Sequence, residues 1–251
     1  MSQQAKVRLA RTAVVAAVLV LLEVAPRAGW VDPITLIPLS QIAAGTWQLA
    51  ASGRLAPHVA ATASNVLASL LLAVTTGFAA GMLLWRSRRL WNVLEPYLAT
   101  YYAVPFFAFY PFLIVMFGMN RWPMIVIAWA FAVVAMAVNT ALGFSRVREV
   151  YVKVGKSLGL SPWQMMRHIY LPGATPYVFT GLKLSVSYSV IGIVASEFIL
   201  STAGLGWLVS FSYNYFDMKG MYAAIALILL LVIVLNALLL WWEGRLYRRE
   251  V

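Results

Sequence analysis

The sequence predicts an all-α, polytopic membrane protein with six transmembrane helices, and two observations carry that prediction. The 251 residues are 63% hydrophobic and only 11% charged, whereas a soluble globular domain is roughly 45–50% apolar and about 25% charged. Uncharged stretches also recur at lengths that cross a hydrocarbon core of about 30 Å at ~1.5 Å per residue. Six spans of ~20 residues leave little chain for a globular domain outside the bilayer. Residues 1–251 therefore read as a single transmembrane domain with its core at about 58–243. The same balance excludes an ordinary water-soluble enzyme. With no cysteine in the chain, a disulfide framework, a thiolate zinc site and a cysteine nucleophile are excluded as well.

The elements follow in order. Thr12–Leu22, extendable through Glu23 to Ala25 and preceded by Lys6, Arg8 and Arg11, reads as the first span. A signal peptide is the alternative, but the small-residue cleavage pattern is poor. Pro26, Pro33, Pro38 and Pro57 punctuate the next connection around Ser40–Ala51, whose apolar residues at helical spacing predict a short helix at the membrane interface. Val59–Trp85, Pro96–Asn120 and Trp122–Ser145 are spans two to four, the last two joined by a tight turn at Met119–Arg121. Tyr177–Leu200 is the fifth, interrupted by Lys183 near its start and Glu197 near its end, and Gly220–Trp242 is the sixth.

Orientation follows from the basic residues. With the N-terminus inside, the inner segments hold Lys6, Arg8 and Arg11, then Arg86, Arg88 and Arg89, then Arg146, Arg148, Lys153, Lys156 and Arg167, then Arg245, Arg248 and Arg249. The outer segments hold only Arg27, Arg54, Arg121 and Lys219. Both termini are thus predicted in the cytoplasm of a multi-pass inner-membrane protein. The formal charge of +11 then serves topology, which argues against a nucleic-acid partner.

The inner stretch at 146–175 is the longest, too polar to span and too patterned for a linker. Val152–Leu160 and Trp163–Ile169 favour helix, Gly159 and Ser161-Pro162 break them, and Leu171-Pro172-Gly173 is expected to end the second before Pro176 opens the fifth span. Such a short helix held by its neighbours is a knob that a cytoplasmic partner can grip; an amphipathic loop lying on the membrane is the alternative.

Within the spans, Glu197 is a carboxylate that must face protein or water, unless it lies close enough to the outer interface to be solvated. Its sign disfavours a direct bond to an anion. Asn139 is expected to hold a neighbouring helix by an interhelical hydrogen bond. Tyr101, Tyr102, Phe106, Phe107, Phe109 and Tyr110 form an aromatic run in span three, mostly packing, although Tyr101 and Tyr102 add hydroxyls useful to a cavity. Pro105 and Pro111 can break that helix, and freed backbone groups beside them suit a pathway-lining span. Gly77 and Gly81 form a small-xxx-small packing face. Tyr101, Tyr102, Pro105, Asn139, Ser196 and Glu197 are the candidate pathway residues.

The loop resembles a family. The permease subunits of ATP-binding cassette (ABC) importers carry a cytoplasmic Glu-Ala-Ala, three residues, Gly, nine residues, Ile, one residue, Leu-Pro pattern. Here Lys153-Val154-Gly155 occupies the first triplet, Lys156-Ser157-Leu158 and Gly159-Leu160 follow, and Ile169, Leu171 and Pro172 fall at the required spacing. Lys153 departs from the pattern by replacing the acidic residue. Leu94-Glu95-Pro96, Phe117-Gly118, Asn139-Thr140, Ala195-Ser196-Glu197-Phe198 and Gly204-Leu205-Gly206 are similar to the permeases for nitrate, aliphatic sulfonate and taurine, and thiamine-precursor and riboflavin-type permeases look similar too.

The resemblance implies a type I importer transmembrane domain. Two permease copies, or this chain and a relative, would form the pathway for a small, anionic solute. Two cytoplasmic ATPase subunits would receive the loops, and an external binding protein would deliver the solute. ATP, with Mg bound, would be hydrolysed by the ATPases, with no cofactor bound by this chain. Gly155-Lys156-Ser157 resembles the end of a phosphate-binding loop, but the first glycine would fall at Val150 and no strand precedes it. An ion-coupled secondary carrier would need more buried ionisable residues and usually an internal repeat. An intramembrane enzyme would need catalytic side chains clustered at one depth, and none is seen.

Overall fold

The computed structural model describes residues 3–32 and 34–247, so Pro33, Arg248 and Arg249 lie outside the described residues. Every regular element among them is helical. In chain order these are α1 (Gln3–Arg27), α2 (Leu39–Ala51), α3 (Leu55–Arg86), α4 (Arg88–Thr100), α5 (Tyr110–Phe117), α6 (Trp122–Ser145), α7 (Glu149–Ser157), α8 (Pro162–Met165), α9 (Leu171–Leu200), α10 (Leu205–Asn214) and α11 (Met218–Tyr247). Five helical segments, containing α1, α3, α6, α9 and α11, are long and apolar enough to cross a membrane. The bent pair α4 and α5 makes a sixth candidate.

That bend bears out the break expected at Pro105 but corrects the bounds of the span: in place of Pro96–Asn120, two limbs, Arg88–Ala103 and Phe106–Phe117, meet at 85°. Pro105 is the cause, because a proline pushes the preceding residue out of the helical region, and Val104 is extended at φ −73°, ψ 123°. Pro111 does not break a helix. It lies in the first turn of α5, where a missing N–H costs nothing.

A second expectation fails at Leu171-Pro172-Gly173. The chain does not leave the helix there. It runs from α8 through a π-helical turn at Met166–Tyr170 directly into α9. A proline ring clashes with the carbonyl four residues earlier in a regular helix, and the wider π turn just before Pro172 gives that carbonyl room. Helix α10 was not anticipated.

The described chain falls into two compact units. The first comprises Met1–Ala60 and Phe198–Leu231. Glu23 of α1 caps α2 from outside: its carboxylate accepts the Ser40 N–H at 2.9 Å and the Ser40 hydroxyl at 2.9 Å. It is also paired with Arg27 at 2.5 Å. A carboxylate is favoured there because the first N–H groups of a helix lack partners and carry partial positive charge. At the start of α10, Gly204 has φ 110°, open only to glycine, and its N–H donates to His58 Nδ1 at 3.2 Å. His58 stacks on Trp207 at 5.1 Å.

The second unit comprises Ala61–Glu197 and Val232–Val251 and is organised around α6. Small residues bring its neighbours close. A Cβ at Gly77 of α3 would lie 2.7 Å from Met136 Cβ, and one at Gly81 would lie 2.5 Å from the Ala137 carbonyl oxygen and Thr140 Cβ. From the other side, Gly192 of α9 faces Ala128 and Gly181 faces Asn139 and Met136. The small-xxx-small pair is therefore the α3–α6 packing face. Ile125, Ala128 and Ile193 are completely buried in the resulting core.

Candidate functional site

The polar loop before α9 is built from local signals. α7 carries Glu149 in its first turn, paired with exposed Lys153 at 3.4 Å. Its end is a Schellman motif: the Leu160 N–H donates to the Gly155 carbonyl at 3.1 Å and the Gly159 N–H to the Lys156 carbonyl at 3.0 Å. Gly159 takes the left-handed conformation this needs, φ +69°. Ser161 then opens α8 with a capping box, accepting the Gln164 N–H at 3.3 Å while its own N–H donates to Gln164 Oε1 at 2.8 Å.

Gly155 is the corner of this arrangement. It is buried, and a Cβ there would run into Ile169 Cδ1 and lie 2.5 Å from Met165 Sδ. The third place of the opening triplet must therefore be small, and Ile169 fills the space that its smallness leaves. Leu171 and Pro172 continue into α9, so the loop is joined without a break to a spanning helix. With Gly155 and Val152 turned inward, Val150, Tyr151, Val154 and Leu158 share an arc of about 100° on the outer face. Leu158 is 71% exposed and Trp163 of α8 69%. Lys153 and Ser157 border the arc on one side, Lys156 lies on the opposite face, and all three are exposed. Exposed apolar side chains gathered in a charged loop suit contact with a protein or with the membrane surface.

The second feature is a cavity of ≈ 440 Å³ in the second unit. Its walls include Trp91, Glu95 and Leu98 of α4, Tyr102, Asn139 of α6 and Tyr188 of α9. Tyr102 and Tyr188 stack at 5.2 Å. Two candidate pathway residues, Tyr102 and Asn139, thus come together. The others lie away from this cavity. Tyr101 donates its hydroxyl to the Ala130 carbonyl at 3.1 Å, Pro105 sits at the bend between α4 and α5, and Ser196 and Glu197 are fully buried.

One expectation changes here. Asn139 makes no interhelical bond with its amide group, which donates within α6 to the Ala135 carbonyl at 2.8 Å. Glu197 takes the first of its two readings, facing protein rather than a solvated interface: it is completely buried and accepts the Thr62 hydroxyl of α3 at 2.8 Å. A donor from the protein offsets part of the desolvation of a buried carboxylate. Lys183 pairs with Glu243 of α11 at 2.9 Å and lies 5.6 Å from the centre of the Phe179 ring. Sequence reasoning missed Trp91, Glu95 and Tyr188. The signal for α4 was present, since Trp91, Glu95, Leu98 and Tyr102 recur at the i, i+4, i+7, i+11 spacing of one helix face.

An all-helical chain with several candidate membrane spans and a polar helix-turn-helix fused to one of them belongs to the class of polytopic membrane proteins. Residues 73–250 match the model of one family within it, described as binding-protein-dependent transport system inner membrane component, and the chain belongs to that family. Among its relatives, the taurine transport system permease protein TauC of Escherichia coli is 28% identical over 71% of this chain and 65% of its own length. The nitrate import permease protein NrtB of Leptolyngbya laminosa is 29% identical over 72% and 65%. The match thus spans about two-thirds of those two relatives. The riboflavin transport system permease protein RibX of Chloroflexus aurantiacus is 28% identical over 87% of this chain and 82% of its own length. In fold, the chain resembles a solved inward-facing MetNI methionine ABC transporter, with TM-score 0.61 and 18% identity over 76% of this chain and 93% of that one.

Proposed function

We propose that this chain is the permease subunit of an ABC importer, forming with a second permease copy the pathway for a small, anionic solute of the sulfonate, taurine or nitrate kind. The observation that carries the reading is the loop: α7, closed by Gly159 and seated on Ile169 through Gly155, presents an exposed apolar arc beside α8, which runs through the π turn into α9. Two cytoplasmic ATPase subunits each take one such loop, and closure of the ATPase pair moves α7 and so biases the spans between outward- and inward-facing states. An external binding protein supplies the solute. The distribution of basic residues supports both termini being cytoplasmic, in a bacterial inner membrane. Gly155-Lys156-Ser157 is part of α7 rather than a glycine-rich loop after a strand, which supports hydrolysis of Mg-bound ATP by the partners.

The names of the taurine and nitrate relatives support the solute class. The reading is tested by uptake into vesicles holding the permease, its co-purifying ATPase and the binding protein. Uptake that requires internal ATP and ignores imposed proton or sodium gradients is expected. Uptake driven by an ion gradient without ATP would instead identify a secondary carrier.

A further inference from the structure

Helix α11 carries an amide where the bilayer offers it nothing. Between Tyr222 and Trp241 every residue of α11 is apolar except Asn236. Asn236 lies about 10 Å along the helix from Glu243 and about 25 Å from Lys219, which places it inside the hydrocarbon core. It is exposed, and among the described residues its side chain makes no hydrogen bond. An amide without a partner in hydrocarbon is strongly destabilising.

The chain itself supplies no remedy. Asn236 shares the wall of a ≈ 240 Å³ cavity between α9 and α11 with five apolar side chains and Ser187. The Ser187 hydroxyl already donates to the Lys183 carbonyl at 3.2 Å. A single water in that cavity would leave most of the donor and acceptor positions of the amide unmet. The Lys183–Glu243 ion pair at 2.9 Å fixes how α11 is turned against α9, so the amide stays at the open edge of the cavity.

The neighbours of Asn236 say what covers it. Ile233, Asn236 and Leu240 fall at i, i+3 and i+7, and all three are exposed. Steps of three and then four residues make the seam of a left-handed helix pair. Two copies of a membrane protein inserted in the same direction are related by a two-fold axis along the bilayer normal, and a residue near that axis meets its own counterpart. An amide suits such a place, because it has both donors and acceptors and two facing amides can exchange two hydrogen bonds. A lipid chain or an apolar helix would leave the amide unmet.

We infer that two identical copies of this chain meet through α11, with Asn236 bonded to the partner's Asn236 near the two-fold axis and Ile233 and Leu240 packed along the seam on either side. The inference rests on the importer reading, which calls for two permease copies. It adds where they touch, and it selects a second copy over a relative, since a single buried Asn in a helix seam specifies register and partner.

Because the chain has no cysteine, Ile233→Cys and Leu240→Cys report the seam directly when membranes holding the full complex are treated with a membrane-permeant oxidant. Leu238→Cys is the control, exposed on the opposite side of α11. Disulfide-linked homodimers at positions 233 and 240, at least roughly tenfold more abundant than at 238, are expected. In lipid vesicles, Asn236→Leu is expected to raise the dimer dissociation constant of fluorophore-labelled permease roughly tenfold, and Asn236→Gln, which keeps the amide, recovers part of the loss. The cysteine pair decides the matter even where Asn236→Leu fails to fold.

Linked dimers that form as readily at 238 as at 233 and 240 overturn the inference. So do adducts only with a different protein, or an unchanged dissociation constant in a folded Asn236→Leu variant. Failure of the importer reading looks different, because the permease would then purify with no ATPase whether or not the disulfides form.

Discussion

Gly155→Leu is expected to strip the ATPase subunits from the purified permease and abolish ATP-driven uptake, while the spans remain folded. The added side chain would occupy the place of Ile169 Cδ1 and Met165 Sδ. Overpacking of this kind costs about 1–3 kcal/mol, and here it is relieved by lifting α7 off the π turn and α8. The arc of Val150, Tyr151, Val154 and Leu158 would then no longer be presented at a fixed angle. Gly155→Ala should be milder, because the thioether of Met165 yields more easily than backbone. Gly159→Ala is the informative contrast. It strains a residue at φ +69° by about 1 kcal/mol but meets nothing within 4 Å, so the ATPase is retained. Quantitative mass spectrometry of each affinity-purified complex, beside its melting curve, separates these outcomes. Full ATPase occupancy in Gly155→Leu would remove the loop geometry from the account.

Gly81→Leu acts on folding instead. Its Cβ would lie 2.5 Å from the carbonyl oxygen of Ala137, and a helix backbone cannot turn aside as a flexible side chain does. α3 must separate from α6, which disturbs the cluster of Leu84, Ala137 and Ala141. A loss of about 3 kcal/mol is expected, at the upper end for overpacked cores, with low yield and a lowered melting temperature in detergent. Gly45→Ala in α2, whose nearest neighbours lie at 3.5 Å and beyond, should behave like wild type. Equal melting temperatures for Gly81→Leu and Gly45→Ala would contradict the tight α3–α6 crossing.

The sequence shows span lengths well because length and charge are one-dimensional. α1, α3, α6, α9 and α11 all coincide with long apolar stretches. Direction is less visible. Pro105 marks a break, yet nothing in Pro96–Asn120 states that the limbs meet at 85°. The continuity of α8 into α9 was hidden for a different reason: Leu-Pro-Gly is a stop signal in a regular helix, and the π turn that accommodates it leaves no trace in composition. The loop was legible because its Schellman motif and capping box are local. Its glycine at 155 gained a reason only when Ile169 and Met165 were seen against it.

The cavity was half legible. Tyr102 and Asn139 draw attention as polar groups in apolar helices, whereas Tyr188 joins them only through the packing of α9 on α6. Glu95 stands out only as part of Leu94-Glu95-Pro96, because a span that begins at Pro96 leaves it outside the membrane helices. The Thr62–Glu197 bond joins residues 135 positions apart, beyond the reach of any local pattern.

The central claim is that the α7 surface is where an ATPase attaches. Because the chain has no cysteine, a single Leu158→Cys can carry a benzophenone photocrosslinker in the intact complex. Met119→Cys serves as control, on an equally open position, 90% exposed, in the turn between α5 and α6. The account predicts an ATPase adduct from position 158 and none from position 119. An ATPase adduct from 119, or only lipid adducts from 158 in a complex that still hydrolyses ATP, would contradict it.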